Sequence, residues 1–85
     1  MKLLETAKFK KQRKKLVQQS EKDALKESVQ TVLNNPEIGK QLKGEFKDLR
    51  SHRYQVKGQQ RRLIYKVEVD SLILFSFGPR EGIYK

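Results

Sequence analysis

The stretch RRLIYKVEVDSLILFSF, residues 61–77, decides the fold. In its first half Leu63, Tyr65, Val67 and Val69 alternate with Arg62, Ile64, Lys66 and Glu68. A period of two places these sets on opposite sides of an extended chain. Asp70-Ser71 then makes a tight turn, and residues 72–77 are almost wholly apolar, the pattern of a central strand covered on both sides. Gly78-Pro79 breaks this strand and leaves residues 80–85 as a tail. Just upstream, residues 49–56 alternate as well, with Arg50, His52, Tyr54 and Val56 on one face. Lys57-Gly58-Gln59 reads as the hairpin turn between the two runs. Three strands joined by tight turns form an antiparallel meander.

The first half of the chain has a different period. Residues 7–19 contain no Gly or Pro, and Phe9, Leu16 and Val17 give a narrow apolar stripe at i, i+7 and i+8. Ser20 followed by Asp23 resembles a capping box, with Glu21 and Asp23 at the positive end of the helix dipole. Leu25, Val29, Val32 and Leu33 then mark a core stripe, which Asn34-Asn35-Pro36 ends because the residue before proline avoids the α region. Residues 36–44 connect the halves, with Ile38 and Leu42 expected to anchor the loop on the core. Residues 1–6 are ambiguous between a strand and a lead into the helix. The expectation is an α+β single domain over residues 1–85, two N-terminal helices packed on one face of a small, twisted antiparallel sheet.

Composition narrows the function. Twenty Lys and Arg against ten Asp and Glu give a net charge of +10 on 85 residues. A chain this short buries only about 60–65% of its unfolded surface, so a partner that covers one face would help it. The charge calls for RNA, another polyanion or an acidic protein. With no cysteine and one histidine, disulfides, thiolate chemistry and histidine clusters for zinc are excluded. No metal site and no cofactor are expected. The N-terminus lacks an apolar signal region and no run approaches the ~20 residues of a membrane span, so the expected place is the cytoplasm.

Two basic concentrations could carry function. Lys8, Lys10, Lys11, Arg13, Lys14 and Lys15 put six cations into eight residues. They suit phosphates read without sequence, or equally a solvated face or the dock for an acidic partner. Arg50, His52, Arg53, Lys57, Arg61 and Arg62 belong to the sheet, with Arg80 after the last strand. Arginines within a strand suit phosphate, which a planar guanidinium grips with two bonds. The alternative is surface arginines paired with Glu68, Glu81 or solvent.

The run from Pro36-Glu-Ile-Gly through Leu42-Lys-Gly44 and Leu49-Arg50-Ser51-His52-Arg53 continues through Arg62-Leu63-Ile64-Tyr65. A hairpin, an apolar strand, Gly78-Pro79-Arg80-Glu81 and Ile83-Tyr84 follow. In order and spacing this resembles the RelE/ParE toxin superfamily over essentially the whole chain. The resemblance implies a toxin of a type II toxin–antitoxin module, held inactive by a cognate antitoxin. In the RelE-like branch it implies a metal-independent endoribonuclease that cuts mRNA in the ribosomal A site. In the ParE-like branch it implies an inhibitor of DNA gyrase; a non-catalytic nucleic-acid-binding module is a third alternative.

On the RelE-like pattern Arg62 holds phosphate, Arg80 contacts phosphate or acts as general acid, and Tyr84 stacks on the RNA or merely pins the tail. Arg53 takes the place of the first of two lysines, and Gln55, which cannot take up a proton, the place of the second. His52 is the one residue that titrates near neutral pH, yet alternation points it away from Arg53. It is either the base or an ordinary surface histidine. The α-helical cations, with Arg50, Lys57 and Arg61, are expected to meet ribosomal RNA. An antitoxin is expected to cover apolar residues such as Ile64, Phe75 and Phe77.

Overall fold

The computed structural model describes residues 1–79. Strand β1 (Lys2–Glu5) leads into helices α1 (Ala7–Lys14) and α2 (Gln19–Asn34). A short β2 (Lys40–Gln41), one 3₁₀ turn (Gly44–Phe46), β3 (Arg50–Val56), β4 (Gln59–Val67) and β5 (Ser71–Gly78) follow. The sheet order is β1-β5-β4-β3-β2. The expected α+β layering and meander are present, and the ambiguous N-terminus supplies a further strand. β1 runs parallel to β5, with Leu3 beside Leu72 and Leu4 beside Ile73, so the sheet is mixed. β5 therefore lies inside the sheet, as its apolar composition requires.

The core sits between the helices and one sheet face: Phe9, Leu25, Val32, Leu63, Tyr65, Leu72, Leu74 and Phe77. Strict alternation in β5 would send Phe77 to the opposite face from Leu72 and Leu74. A bulge prevents this. Ile64 pairs with Ser76 and Tyr65 with Leu74, leaving Phe75 as the extra residue. The Thr6 hydroxyl donates to the Phe75 carbonyl at 2.9 Å and accepts from the Phe9 amide at 3.1 Å, so one side chain caps α1 and holds the bulge. Phe77 then meets Phe9 edge-to-face, ring centroids 5.2 Å apart. Beyond the end of β1, the Gln12 amide takes over the edge of β5. It donates to the Phe77 carbonyl at 2.9 Å and accepts from the Phe77 N–H at 3.1 Å.

Several expectations are corrected. α1 ends at Lys14, one turn short of residue 19, so Val17 leaves the apolar stripe and is 85% exposed. α2 starts earlier than Ser20, with Gln18 as a cap that makes no side-chain bond. Ser20 is inside the helix, its hydroxyl buried without a partner, and Asp23 accepts from Gln19 one turn back at 2.8 Å. Ile38 is exposed rather than an anchor, while Leu42 is half-buried.

The loop is held instead by Tyr65, whose hydroxyl donates to the Pro36 carbonyl at 2.7 Å and accepts from the Gly39 N–H at 2.9 Å. A Cβ at Gly39 would lie 2.8 Å from the Tyr65 ring, so glycine is required there. Ile64 and Phe77 are buried by the chain itself and offer a partner nothing, and Phe75 is half-buried. The exposed large apolar side chains among the described residues are instead Met1, Leu3, Leu4, Val17, Ile38, Val67 and Val69.

Candidate nucleic-acid interface

The hairpin turn fixes the geometry of the sheet arginines. Lys57 and Gly58 have φ of 50° and 81°, the double positive φ of a two-residue turn matched to strand twist. Val56 consequently pairs with Gln59, and each step inward conserves the register, so that Arg53 stands directly opposite Arg62. Both alternate with core residues and therefore project from the face that the helices leave open.

Like charges directly opposite across a hairpin are unfavourable, on the scale of roughly 0.2–1 kcal/mol for cross-strand pairs. Neither arginine has an ion pair among the described residues; the acids that are engaged hold Arg13, Arg61 and Lys66. Arg62 is half-buried and its Nε is shielded without a hydrogen-bond partner, while Arg53 is exposed. On the other flank Arg62 pairs with Gly78, which has no side chain to fill the space above it. In the neighbouring rows every side chain but Ile64 is polar. Gln55 faces Gln60 on one side, and Ser51, Ile64 and Ser76 lie in line on the other. An oxyanion seated between the guanidinium groups would relieve their repulsion and supply acceptors.

His52 does not join them. β3 runs without a bulge, so His52 faces α2, where its Nδ1 lies 2.8 Å from the Ser28 hydroxyl. Desolvation by burial holds its pKa below the ordinary 6.5. A group on the far side of the sheet cannot take a proton at the arginine face, and His52 is corrected from a candidate base to a packing residue. Arg61 is likewise on the helix side. It bonds the Glu21 carboxylate at 3.1 Å and the Gln59 amide oxygen at 3.0 Å, beside Tyr54, whose phenol is pushed up by burial and then by Glu21.

Arg50 spans to the loop, donating to the carbonyls of Gly39 at 2.8 Å and Glu37 at 3.3 Å. Arg50 and Arg61, expected in the RNA-binding set, are thus bonded within the chain on the helix side of the sheet, apart from Arg53 and Arg62. Lys57 is exposed at the hairpin tip. Lys8, Lys10, Lys11, Arg13, Lys14 and Lys15 are all exposed on α1 and its C-cap, with Arg13 forked onto Glu5 at 2.7 and 3.1 Å. That helix lies across the sheet from Arg53 and Arg62, so the two basic concentrations form separate surfaces. Arg80 and Tyr84, assigned by resemblance, lie outside the described residues.

The facing glutamines and the direct opposition of Arg53 with Arg62 were not anticipated. The signal was available, because a two-residue turn at positions 57 and 58 fixes every pair of the hairpin. Among the described residues no group of three or more His, Asp or Glu side chains gathers as a metal site, and no helix is long and apolar enough to cross a membrane.

Comparison with known proteins accords with this architecture. A comparison with curated proteins finds no match. A chain from the crystal structure of the intact E. coli RelBE toxin–antitoxin complex superimposes with a TM-score of 0.71 at 22% identity, over 95% of this chain and 98% of that one. This establishes a shared fold. The family model for the ParE-like toxin of type II bacterial toxin–antitoxin systems matches residues 3–85, nearly the whole sequence, and the chain belongs to that family.

Proposed function

We propose that this toxin acts on RNA, cleaving mRNA in the ribosomal A site without a metal, and that a cognate antitoxin restrains it. The single observation that carries the reading is the Arg53–Arg62 pair on the open sheet face. Attack of a 2′-hydroxyl on the adjacent phosphate builds negative charge on the phosphorane oxygens. Guanidinium groups aimed at those oxygens stabilise that charge better than they stabilise the ground state. Arg62, half-buried and rooted in a central strand, is the positioned member; Arg53, exposed and at liberty to move, follows the phosphate. We assign the proton for the leaving 5′-oxygen to Arg80 and base stacking to Tyr84. Neither His52, by its position, nor Gln55, by its chemistry, takes the 2′-hydroxyl proton, which passes instead to a non-bridging phosphate oxygen or to solvent water as the O2′–P bond forms and the P–O5′ bond breaks. The basic face of α1 and Lys57 would meet ribosomal RNA through phosphates.

Purified toxin mixed with programmed ribosomes tests the reading by mapping mRNA 5′ ends. The wild-type chain should cut A-site mRNA and Arg62→Ala should lose at least about 100-fold, the scale of one transition-state charge contact. Equal cutting by Arg62→Ala, or no cutting by either, would refute it. A second reading, inhibition of DNA gyrase, is favoured by the ParE-like description of the matched family. It is favoured too by the position of His52, which leaves the described arginine face without a titratable base. Supercoiling assays free of ribosomes separate the two, since only a gyrase inhibitor is active there.

A further inference from the structure

Next to the arginines, toward the hairpin tip, the open face carries a pair of amides. Gln55 stands directly opposite Gln60, as Arg53 stands opposite Arg62. Side chains paired in this way have Cβ atoms about 4.5–5.5 Å apart, and rows two residues apart along a strand are separated by about 7 Å. Both glutamines are exposed. Other glutamine amides bond within the chain: Gln12 holds the Phe77 backbone, Gln19 donates to Asp23, Gln41 donates to the Lys47 carbonyl and Gln59 accepts from Arg61. The amides of Gln55 and Gln60 make no hydrogen bond among the described residues.

Their chemistry differs from that of the arginines beside them. A phosphate offers only acceptors, so it suits a guanidinium, while the carbonyl half of an amide is repelled by it. An amide is matched by a group that presents a donor and an acceptor side by side, as base edges do. Two facing amides ask for more: an amino group flanked by an acceptor on each side. Adenine has this, with N7 on one side of its 6-amino group and N1 on the other. The guanine 2-amino group lies between an acceptor and the N1–H donor, and the cytosine 4-amino group between an acceptor and a C–H. Uracil has no amino group. One adenine, its 6-amino group pointing down between the strands, therefore satisfies both amides, and the other RNA bases satisfy one at most.

We propose that Gln55 and Gln60 form a subsite for one adenine base, beside the phosphate held by Arg53 and Arg62. The subsite deepens the RNA reading of this face and rests on it. Base choice is then a property of the hairpin, whose two-residue turn sets the glutamine pair as it sets the arginine pair. A peptide backbone also presents donors and acceptors to an amide. If that is the occupant, base identity makes no difference to RNA binding.

Oligouridines with a single central A, G or C, and one with a central purine that lacks the 6-amino group, serve as probes against the full chain in fluorescence anisotropy. The central-A probe should bind at least about tenfold tighter than each of the others, the scale of one bidentate amide–base pair. In Gln55→Ala/Gln60→Ala this advantage should shrink to less than about twofold. Both positions are exposed, so the fold is expected to survive, and circular dichroism checks it. Gln55→Lys tests the same point with binding retained. It should steepen the slope of log affinity against log salt by about 0.7 for a single strand while the adenine advantage falls. Equal affinity for A and G would reveal a stacking surface and overturn the proposal, as would an adenine preference that survives the double substitution. Binding without any base preference would refute the subsite and leave the RNA reading standing. Failure of every probe to bind would refute that reading and the subsite with it.

Discussion

Replacing Arg53 by glutamine should strengthen the fold and weaken the function, and the two signs come from one geometry. Arg53 and Arg62 stand opposite each other with no acid between them among the described residues. Removing one charge relieves a cross-strand repulsion of roughly 0.5 kcal/mol, within the range for directly opposed pairs. On a chain of 85 residues that amounts to a rise of about 2–4 °C in melting temperature. Glutamine keeps the aliphatic stem and the extended backbone, and Arg53 is exposed, so no packing is lost against this gain.

If both arginines hold one phosphodiester, Arg53→Gln gives up one neutralised charge. For a single strand the slope of log affinity against log salt should fall by about 0.7. At 0.15 M salt that slope corresponds to a loss of about fourfold, vanishing as salt approaches 1 M. Thermal melts and titrations of a short oligoribonucleotide at four salt concentrations measure both. A variant that melts lower, or one whose affinity and salt slope match the wild type, refutes the reasoning that these guanidinium groups are held apart for an anion.

Two further outcomes follow from the helix side of the sheet. Burial lowers the pKa of His52, so the unfolded chain binds the proton more readily. Stability should therefore fall as pH drops from the unfolded value of about 6.5 through the lower folded one, and level off below it. Urea melts across that window should show this slope in the wild type and lose it in His52→Gln. Tyr65→Phe removes the hydroxyl that bridges Pro36 and Gly39, orphaning a buried N–H, and should destabilise by about 1–3 kcal/mol in the same melts. An unchanged midpoint would show the loop to be held by Arg50 alone.

Much of this fold was legible because its second half speaks in local terms. Period-two alternation and a two-residue turn specify β3, β4 and their pairing without reference to anything distant. The spacing of Leu25, Val29, Val32 and Leu33 likewise specified α2. What escaped the sequence depends on residues far apart. β1 is a strand only because β5, about seventy residues later, offers an edge. The bulge at Phe75 is set by Thr6, so no reading of β5 alone could place Phe77 in the core. The end of α1 is also non-local, since Gln12 has to reach the Phe77 backbone while the chain turns back toward α2.

The candidate site divided in the same way. Alternation put Arg53 and His52 on opposite faces but left open which of them shares a face with Arg62; the hairpin register decides for Arg53. Nothing in the sequence showed that Glu21 would claim Arg61, or that a loop carbonyl would claim Arg50.

A core of about ten buried apolar side chains must hold this chain against its own charge. Three of its acids are paired, Glu5 with Arg13, Glu21 with Arg61 and Glu68 with Lys66, and because each pair cancels one charge of each sign the excess of +10 remains. An anion on either face then does more than bind. It removes self-repulsion that opposes folding, and its binding energy adds to stability as RT ln(1 + [L]/Kd). The arginine pair and the cationic surface of α1 are on opposite faces of the same sheet, so anions at the two would compete for no surface and each would favour the same folded state.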